Sequence, residues 1–228
     1  MAAAFDQVDA LNLGSVTSAS WTHTPVGTPT LVIVSLMSAA TGAVTTATYG
    51  GQNLTEATGS PAGGGSVPTV HMWYLASPPA GAQTVSLIWT TATRAVRCSM
   101  TYTGTTGTHV GTVVSTTGTN IASISVDVTS SASGMVMDAA AIHNDASITV
   151  GADQTQRHNV NYGASGEHSG GGSTEPGAAT VTMSWTGLDS SNQCTIMAIP
   201  ILGEFLASPA KMRWHRRTRI PGLVTVYE

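Results

Sequence analysis

Charged side chains are scarce in this chain. Asp, Glu, Lys and Arg together make up 9% of its 228 residues, whereas about 25% is usual for globular proteins. Disordered segments need more charge and less hydrophobicity than this, and the mean hydropathy here is +0.13. No apolar run approaches the roughly 18 residues that span a membrane, and residues 1–13 lack the basic and apolar regions of a signal peptide. We therefore expect a folded protein without a signal peptide or membrane span.

Cysteine is also rare, which limits both disulfide and metal chemistry. Cys98 and Cys194 each lie in an apolar, strand-like run, where a buried free thiol is more common than a disulfide. Two cysteines placed in this way form no known metal-binding motif. We therefore predict two buried free thiols, no metal and no cofactor.

Helical periodicity is almost absent, and the alternation of apolar and polar residues that is typical of half-buried strands takes its place. It recurs at residues 84–89, 123–128 and 180–185. The run Leu31–Met37 is apolar on both faces, as in a strand that is covered on both sides. Glycines and prolines indicate turns between the strands, among them Gly50-Gly51 and Gly170–Gly172. The pattern predicts one all-β domain over residues 1–203, an antiparallel, jelly-roll-like β-sandwich of about a dozen short strands.

The charges are distributed unevenly along the chain. Through residue 203 there are three arginines and ten acidic residues, whereas residues 204–228 contain five basic residues and two acidic ones. This last segment has no clear hydrophobic period, and it ends in the strand-like run Leu223–Tyr227. We interpret residues 204–228 as an extended basic arm on an acidic domain. Such asymmetry indicates a partner of opposite charge.

The cations of the arm surround one aromatic residue, a pattern that suits either nucleic acid or a protein interface. Arginine pairs with carboxylates through two hydrogen bonds, and tryptophan often fills a central pocket at interfaces. Because the domain offers ten acidic residues, we favour assembly over nucleic-acid binding. The predicted contact residues are Lys211, Arg213, Trp214, Arg216, Arg217 and Arg219.

No established catalytic or metal-binding motif is present. Glu56, Glu167 and Glu175 are the carboxylates considered for glycoside hydrolysis, which needs two facing carboxyl groups, but none belongs to a paired motif. Neither H-x-H, H-E-x-x-H nor G-x-S-x-G occurs. Calcium could use loop oxygens, although no EF-hand-like sequence supports a site. The ligands of such a site would be Asn144, Asp145 and Asp153.

Five tryptophans could provide a surface on which sugars stack. Trp89 and Trp185 fall on the apolar faces of predicted strands, so core packing explains them. Trp21 remains as a surface aromatic, and the position of Trp73 fits either role. The predicted glycan contacts are therefore Trp21 and Trp73, with Asn144 and Asn161 as polar partners from loops.

Several segments follow a further pattern, in which glycines, prolines and aromatic residues shape turns and core in a fixed order. These segments are Ser20–Thr24, Thr30–Ser38, Ala47–Thr55, Met72–Gly81, Thr101–Gly104, Gly171–Gly177, Val181–Trp185 and Thr195–Ile201. Together they resemble a jelly-roll-like sandwich module of tailed-phage virion proteins and bacterial surface proteins, over about residues 2–203. The resemblance implies a structural or adhesive role and transfers no catalytic residue.

The sequence thus predicts a non-enzymatic structural protein on the surface of a phage-like virion, as a capsid decoration or another head or tail component. It would form a symmetric oligomer, such as a trimer, and contact other shell or tail proteins through the arm. The alternative is a carbohydrate-binding or adhesion module. Neither hypothesis requires nucleic acid, a membrane or a cofactor.

Overall fold

The computed structural model describes residues 1–39, 42–143, 148–161, 168–188 and 192–203. Within these ranges all regular secondary structure consists of β-strands, and the strand pairs are antiparallel. The predicted all-β, antiparallel sandwich is confirmed. The arm at residues 204–228, with all six of its predicted contact residues, lies outside the described residues.

None of the described segments forms a helix that is long and apolar enough to cross a membrane.

The first sheet has the strand order β4-β3-β8-β2-β7-β5, with β1 paired to β8 and β6 paired to β7. Its strands are β1 (Ala4–His23), β2 (Leu31–Ser38), β3 (Val44–Tyr49), β4 (Gln52–Asn53), β5 (Thr55–Glu56), β6 (Ala62–Gly64), β7 (Val67–Ala76) and β8 (Gln83–Thr103). The first half of β8 pairs with β3 and its second half with β2, so the sheet curls around a core of its own. As predicted, Leu31–Met37 is central and entirely buried.

The second sheet has the order β10-β17-β12-β15-β14, with β9 also paired to β17, and the third has the order β11-β16-β13. The second comprises β9 (Thr105–Val110), β10 (Val114–Thr119), β12 (Met135–His143), β14 (Thr155–Val160), β15 (His168–Pro176) and β17 (Gln193–Gly203). The third comprises β11 (Ser123–Val128), β13 (Thr149–Val150) and β16 (Val181–Thr186). The predicted alternation in β11 and β16 is confirmed, since their inward residues are buried and most outward ones exposed.

The second sheet lies between the other two. One face of it packs on the first sheet through residues such as Met100 and Met137, and the other packs on the third sheet through residues such as Ile196 and Trp185. The three layers therefore stack around two hydrophobic cores. The prediction of short strands is wrong for β1 and β8, which run for 20 and 21 residues because they pair with each other along nearly their whole length.

The glycines at 170–172 are buried in the middle of β15, so the predicted turn at this position is wrong. Their role is steric, because β15 is covered on both faces. A Cβ on Gly170 would lie 2.8 Å from the Cβ of Val96 in the first sheet, and one on Gly171 would lie 2.7 Å from the Cη2 of Trp185 in the third. The absence of side chains here lets the layers approach closely.

Replacing Gly171 with alanine is therefore expected to lower the free energy of unfolding by about 1–3 kcal/mol, the usual cost of overpacking a core. Urea unfolding monitored by tryptophan fluorescence measures this change. Gly14→Ala is the matched control, because Gly14 is also in a strand and a Cβ there would meet nothing within 4 Å. Equal stability of the two variants would contradict the steric role of Gly171.

Candidate functional site

Close backbone contacts surround Gly203, the last described residue before the arm. β17 ends at Gly203, where a Cβ would collide with the carbonyl oxygen of Ser133. The same carbonyl accepts a 2.9 Å hydrogen bond from the backbone N–H of Ala3. Gly203, which precedes residues 204–228, therefore has a fixed position in the core of the fold.

A groove of about 470 Å³ lies directly beside this point. One wall is the beginning of β10 and the other is the end of β11, while Pro200 and Leu202 of β17 lie between them. Val114 in this groove is 37% exposed, which makes it one of the exposed large apolar side chains among the described residues. The lining residues are Gly111, Thr112, Val114, Asp127, Val128, Thr129, Pro200 and Leu202.

Acidic residues lie in the groove and farther across the second sheet. Asp127 lies in the groove and accepts a 2.7 Å hydrogen bond from the hydroxyl of Thr182. Glu175 of β15 is the register partner of Val136 in β12, and Val136 is in turn the partner of Pro200 in β17. Burial, and secondarily the negative charge of Asp153, raises the pKa of Glu175. The groove itself therefore contains one carboxylate, that of Asp127.

A second groove, of about 360 Å³, opens between β3 and β5 and contains Glu56 and Trp73. The Oε1 of Glu56 accepts a 3.2 Å hydrogen bond from Ser60 and lies 3.5 Å from the Nδ1 of His71. Burial lowers the pKa of His71, although the neighbouring Glu56 acts in the opposite direction. Glu175, another carboxylate considered for catalysis, lies in a different sheet, in strand β15 rather than in a loop. The structure therefore does not bring these two carboxylates together.

The two predicted glycan contacts are buried. Trp21 is 8% exposed, its Nε1 donates a 3.0 Å hydrogen bond to Ser99, and the guanidinium of Arg97 lies 4.4 Å from its ring centroid. Trp73 is 4% exposed and its ring is stacked on that of His71 at 5.3 Å. The prediction of a surface position for Trp21 is wrong, because this side chain packs in the core inside the curl of the first sheet. Neither ring presents a face for sugar stacking.

Of the remaining candidate residues, the structure describes Asn161 and Asp153. Asn161 is exposed, and Asp153 is exposed with a left-handed backbone, whereas Asn144, Asp145 and Glu167 lie outside the described residues. His143 and His168 stand opposite each other on β12 and β15, with ring centroids 4.8 Å apart. In the described part of the chain no three His, Cys, Asp or Glu side chains are grouped to hold a metal.

Cys98 and Cys194 are both buried and free, as predicted.

The structure also contains two buried polar networks that the sequence did not predict. In the first sheet, His23 contacts Ser99 at 2.9 Å and Thr101 at 3.2 Å, and Thr101 donates a 2.8 Å hydrogen bond to Asp6. His23 is completely buried, and this desolvation lowers its pKa. Ser99 is equally inaccessible to solvent, so this serine and histidine serve the packing of β1 on β8 rather than nucleophilic catalysis.

The second network is centred on Asp138 of β12, which is completely buried. Its Oδ1 accepts hydrogen bonds from the backbone N–H of Ser173 at 2.7 Å and from the Ser173 hydroxyl at 2.8 Å. Its Oδ2 accepts one from the Nε1 of Trp185 at 2.8 Å and one from Gln154 at 3.4 Å. Because desolvation outweighs these donors, the pKa of Asp138 rises to about 7. This carboxyl group connects the second sheet to the third.

No protein-family model matches the chain, and searches of curated proteins and of solved structures also found no match. The groove beside the arm is thus the candidate site supported by the geometry alone: it combines exposed apolar surface, two open strand edges and negative charge.

Proposed function

We propose that this protein is a non-enzymatic structural component of a phage-like virion, a head or tail surface protein such as a capsid decoration, which assembles as a symmetric oligomer through its C-terminal arm. The observation that supports this most directly is the point at which the arm leaves the domain. Its five basic residues follow Gly203, and the adjacent Leu202 lines a mainly apolar groove that contains the carboxylate of Asp127. Opposite charges on arm and domain favour contact between copies.

The outer surface of the sandwich is consistent with a role in a packed array. The exposed positions of β10, β11 and β16 are mainly serines and threonines. A neutral polar surface of this kind can approach other copies without the strong repulsion that a highly charged surface creates. Most of the residues that line the groove, among them Val114, Asp127 and Pro200, lie in strands of the three-layer core, which provides a rigid docking surface.

The arm is expected to determine the oligomeric state. Size-exclusion chromatography with light scattering should give a defined oligomer for the full chain and a folded monomer for a truncation that ends at Gly203. The interaction is charge-assisted, so higher salt should weaken it. A full-length variant with all five basic residues replaced by glutamine provides the matched control: Lys211→Gln, Arg213→Gln, Arg216→Gln, Arg217→Gln and Arg219→Gln.

If the truncated chain keeps the oligomeric state of the full chain, the arm is not the assembly device and the proposal fails. Circular dichroism of the truncation shows whether the domain is folded, so that a loss of association is not confused with unfolding. A high absorbance ratio of 260 to 280 nm in the purified full chain would instead favour nucleic acid as the partner of the arm.

A further inference from the structure

The third sheet is incomplete beside β11. It has three strands, and they cover a second sheet of six. Within the described residues β11 pairs with β16 alone and β10 pairs with β17 alone, so each is an edge strand with unpaired backbone groups. The two strands are joined by residues 120–122, and the groove lies at the opposite ends of both strands.

The groove lies at the end of the free edge of β11, where Asp127 and Val128 line it. A strand placed along the free edge of β11 would continue the third sheet and would lie over Val114, Pro200 and Leu202. Val114 points toward this layer, because its register partner on β17 is Ala198, which packs in the core shared with the third sheet. Neither β10 nor β11 contains the lysine or proline that often protects an exposed edge. These edges have the properties of a surface that a further strand covers.

The chain itself supplies a suitable strand. The arm ends in Leu223–Tyr227, an apolar and β-branched segment, after 19 residues that follow Gly203. At about 3.3 Å per extended residue, those 19 residues reach roughly 60 Å. Leu202, which lines the groove, is adjacent to Gly203, so the arm is far longer than its own groove requires. Its length suits the groove of a neighbouring copy.

We propose that Leu223–Tyr227 of one copy adds as a β-strand to the free edge of β11 in a second copy. Backbone hydrogen bonds to β11 provide the pairing, and alternate side chains of the segment pack on Val114 and Leu202. The basic residues at 211–219 then lie on the acidic domain of the second copy, in which Asp127 lines the groove. This inference rests on the proposed assembly function, and it identifies the surface to which the arm binds.

Photo-crosslinking in the full-length protein tests the proposal. Tyr227 is replaced by p-benzoylphenylalanine, and protein labelled with ¹⁵N is mixed with unlabelled protein before irradiation. The expected result is crosslinked peptides of mixed isotope composition that join residue 227 to residues 111–114, 124–129 or 198–202. Crosslinks within single chains, or crosslinks to other surfaces, would overturn the proposal.

A pair of variants separates this inference from the assembly function. Val114→Asp introduces a charge into the groove and is expected to raise the dissociation constant of the oligomer about tenfold or more. Ile88→Asp is the matched control, because Ile88 is 44% exposed in the first sheet and does not line the groove. Unchanged association of Val114→Asp, while truncation at Gly203 abolishes it, would refute the groove as the binding surface and leave arm-dependent assembly intact.

Discussion

Asp138→Ala is expected to lower the free energy of unfolding by about 3–5 kcal/mol, because it leaves several buried donors without an acceptor, each at a cost of about 1–3 kcal/mol. Those donors are the indole N–H of Trp185 and the backbone N–H and hydroxyl of Ser173. All three lie in the region between the second and third sheets, which is buried from solvent. Urea unfolding at pH 7 measures the change.

Two further variants define the origin of this loss. Asp138→Asn retains one acceptor oxygen and the size of the side chain, so its loss should be clearly smaller than that of alanine. Asp127→Ala removes an exposed carboxylate that also sits in a strand and accepts one hydrogen bond, and it should change stability by about 0.5 kcal/mol or less. A loss at Asp138 no larger than that at Asp127 would show that the network contributes little to stability.

Local alternation predicted much of the fold. Residues 123–128 and 181–186 have inward apolar and outward polar side chains, and because a strand with one buried face requires this period, the structure reproduces it. The fully apolar Leu31–Met37 likewise identified a strand covered on both sides. Such features depend only on neighbours in the sequence, and they also identified Trp185 as a core residue.

Features that depend on a third layer could not be predicted in this way. Gly170–Gly172 has the composition of a turn, and only the close approach of Val96 on one face and Trp185 on the other explains why glycine occupies a strand. Trp21 is enclosed by the curl of the first sheet, which no local pattern indicates. The groove brings together β10, β11 and β17, and its two walls become neighbours only after folding.

Acidification from pH 6.5 to pH 4.5 is expected to destabilise the protein by about 2 kcal/mol. The cause is a pair of histidines in the core: burial lowers the pKa of both His158 and His168 to about 4. In the unfolded chain the two side chains titrate near 6.5. Between these values the unfolded state binds more protons than the folded state, so stability is lost as the pH falls.

Asp138 acts in the opposite direction over the same interval. Its pKa is about 7 in the folded state and about 4 in the unfolded state, so the folded state binds the additional proton and ionisation weakens the fold as the pH rises. Because two histidines oppose one aspartate, the unfolded state binds at most about one more proton than the folded state, which corresponds to at most about 1.4 kcal/mol per pH unit. Burial also lowers the pKa of His23, His71 and His109, which adds to the histidine side of this balance.

The balance can be tested by urea unfolding at pH 4.5, 5.5 and 6.5 with variants that change each side of it. His158→Gln combined with His168→Gln removes the main source of acid sensitivity and leaves Asp138 to act in the opposite direction, so the loss of stability on acidification should disappear or reverse. Asp138→Asn removes the opposing group and should make it steeper, by about 1.4 kcal/mol per pH unit. Because these variants are expected to shift the slope in opposite directions, a slope that is unchanged in both would exclude buried titration as the cause, even if each variant is less stable at every pH.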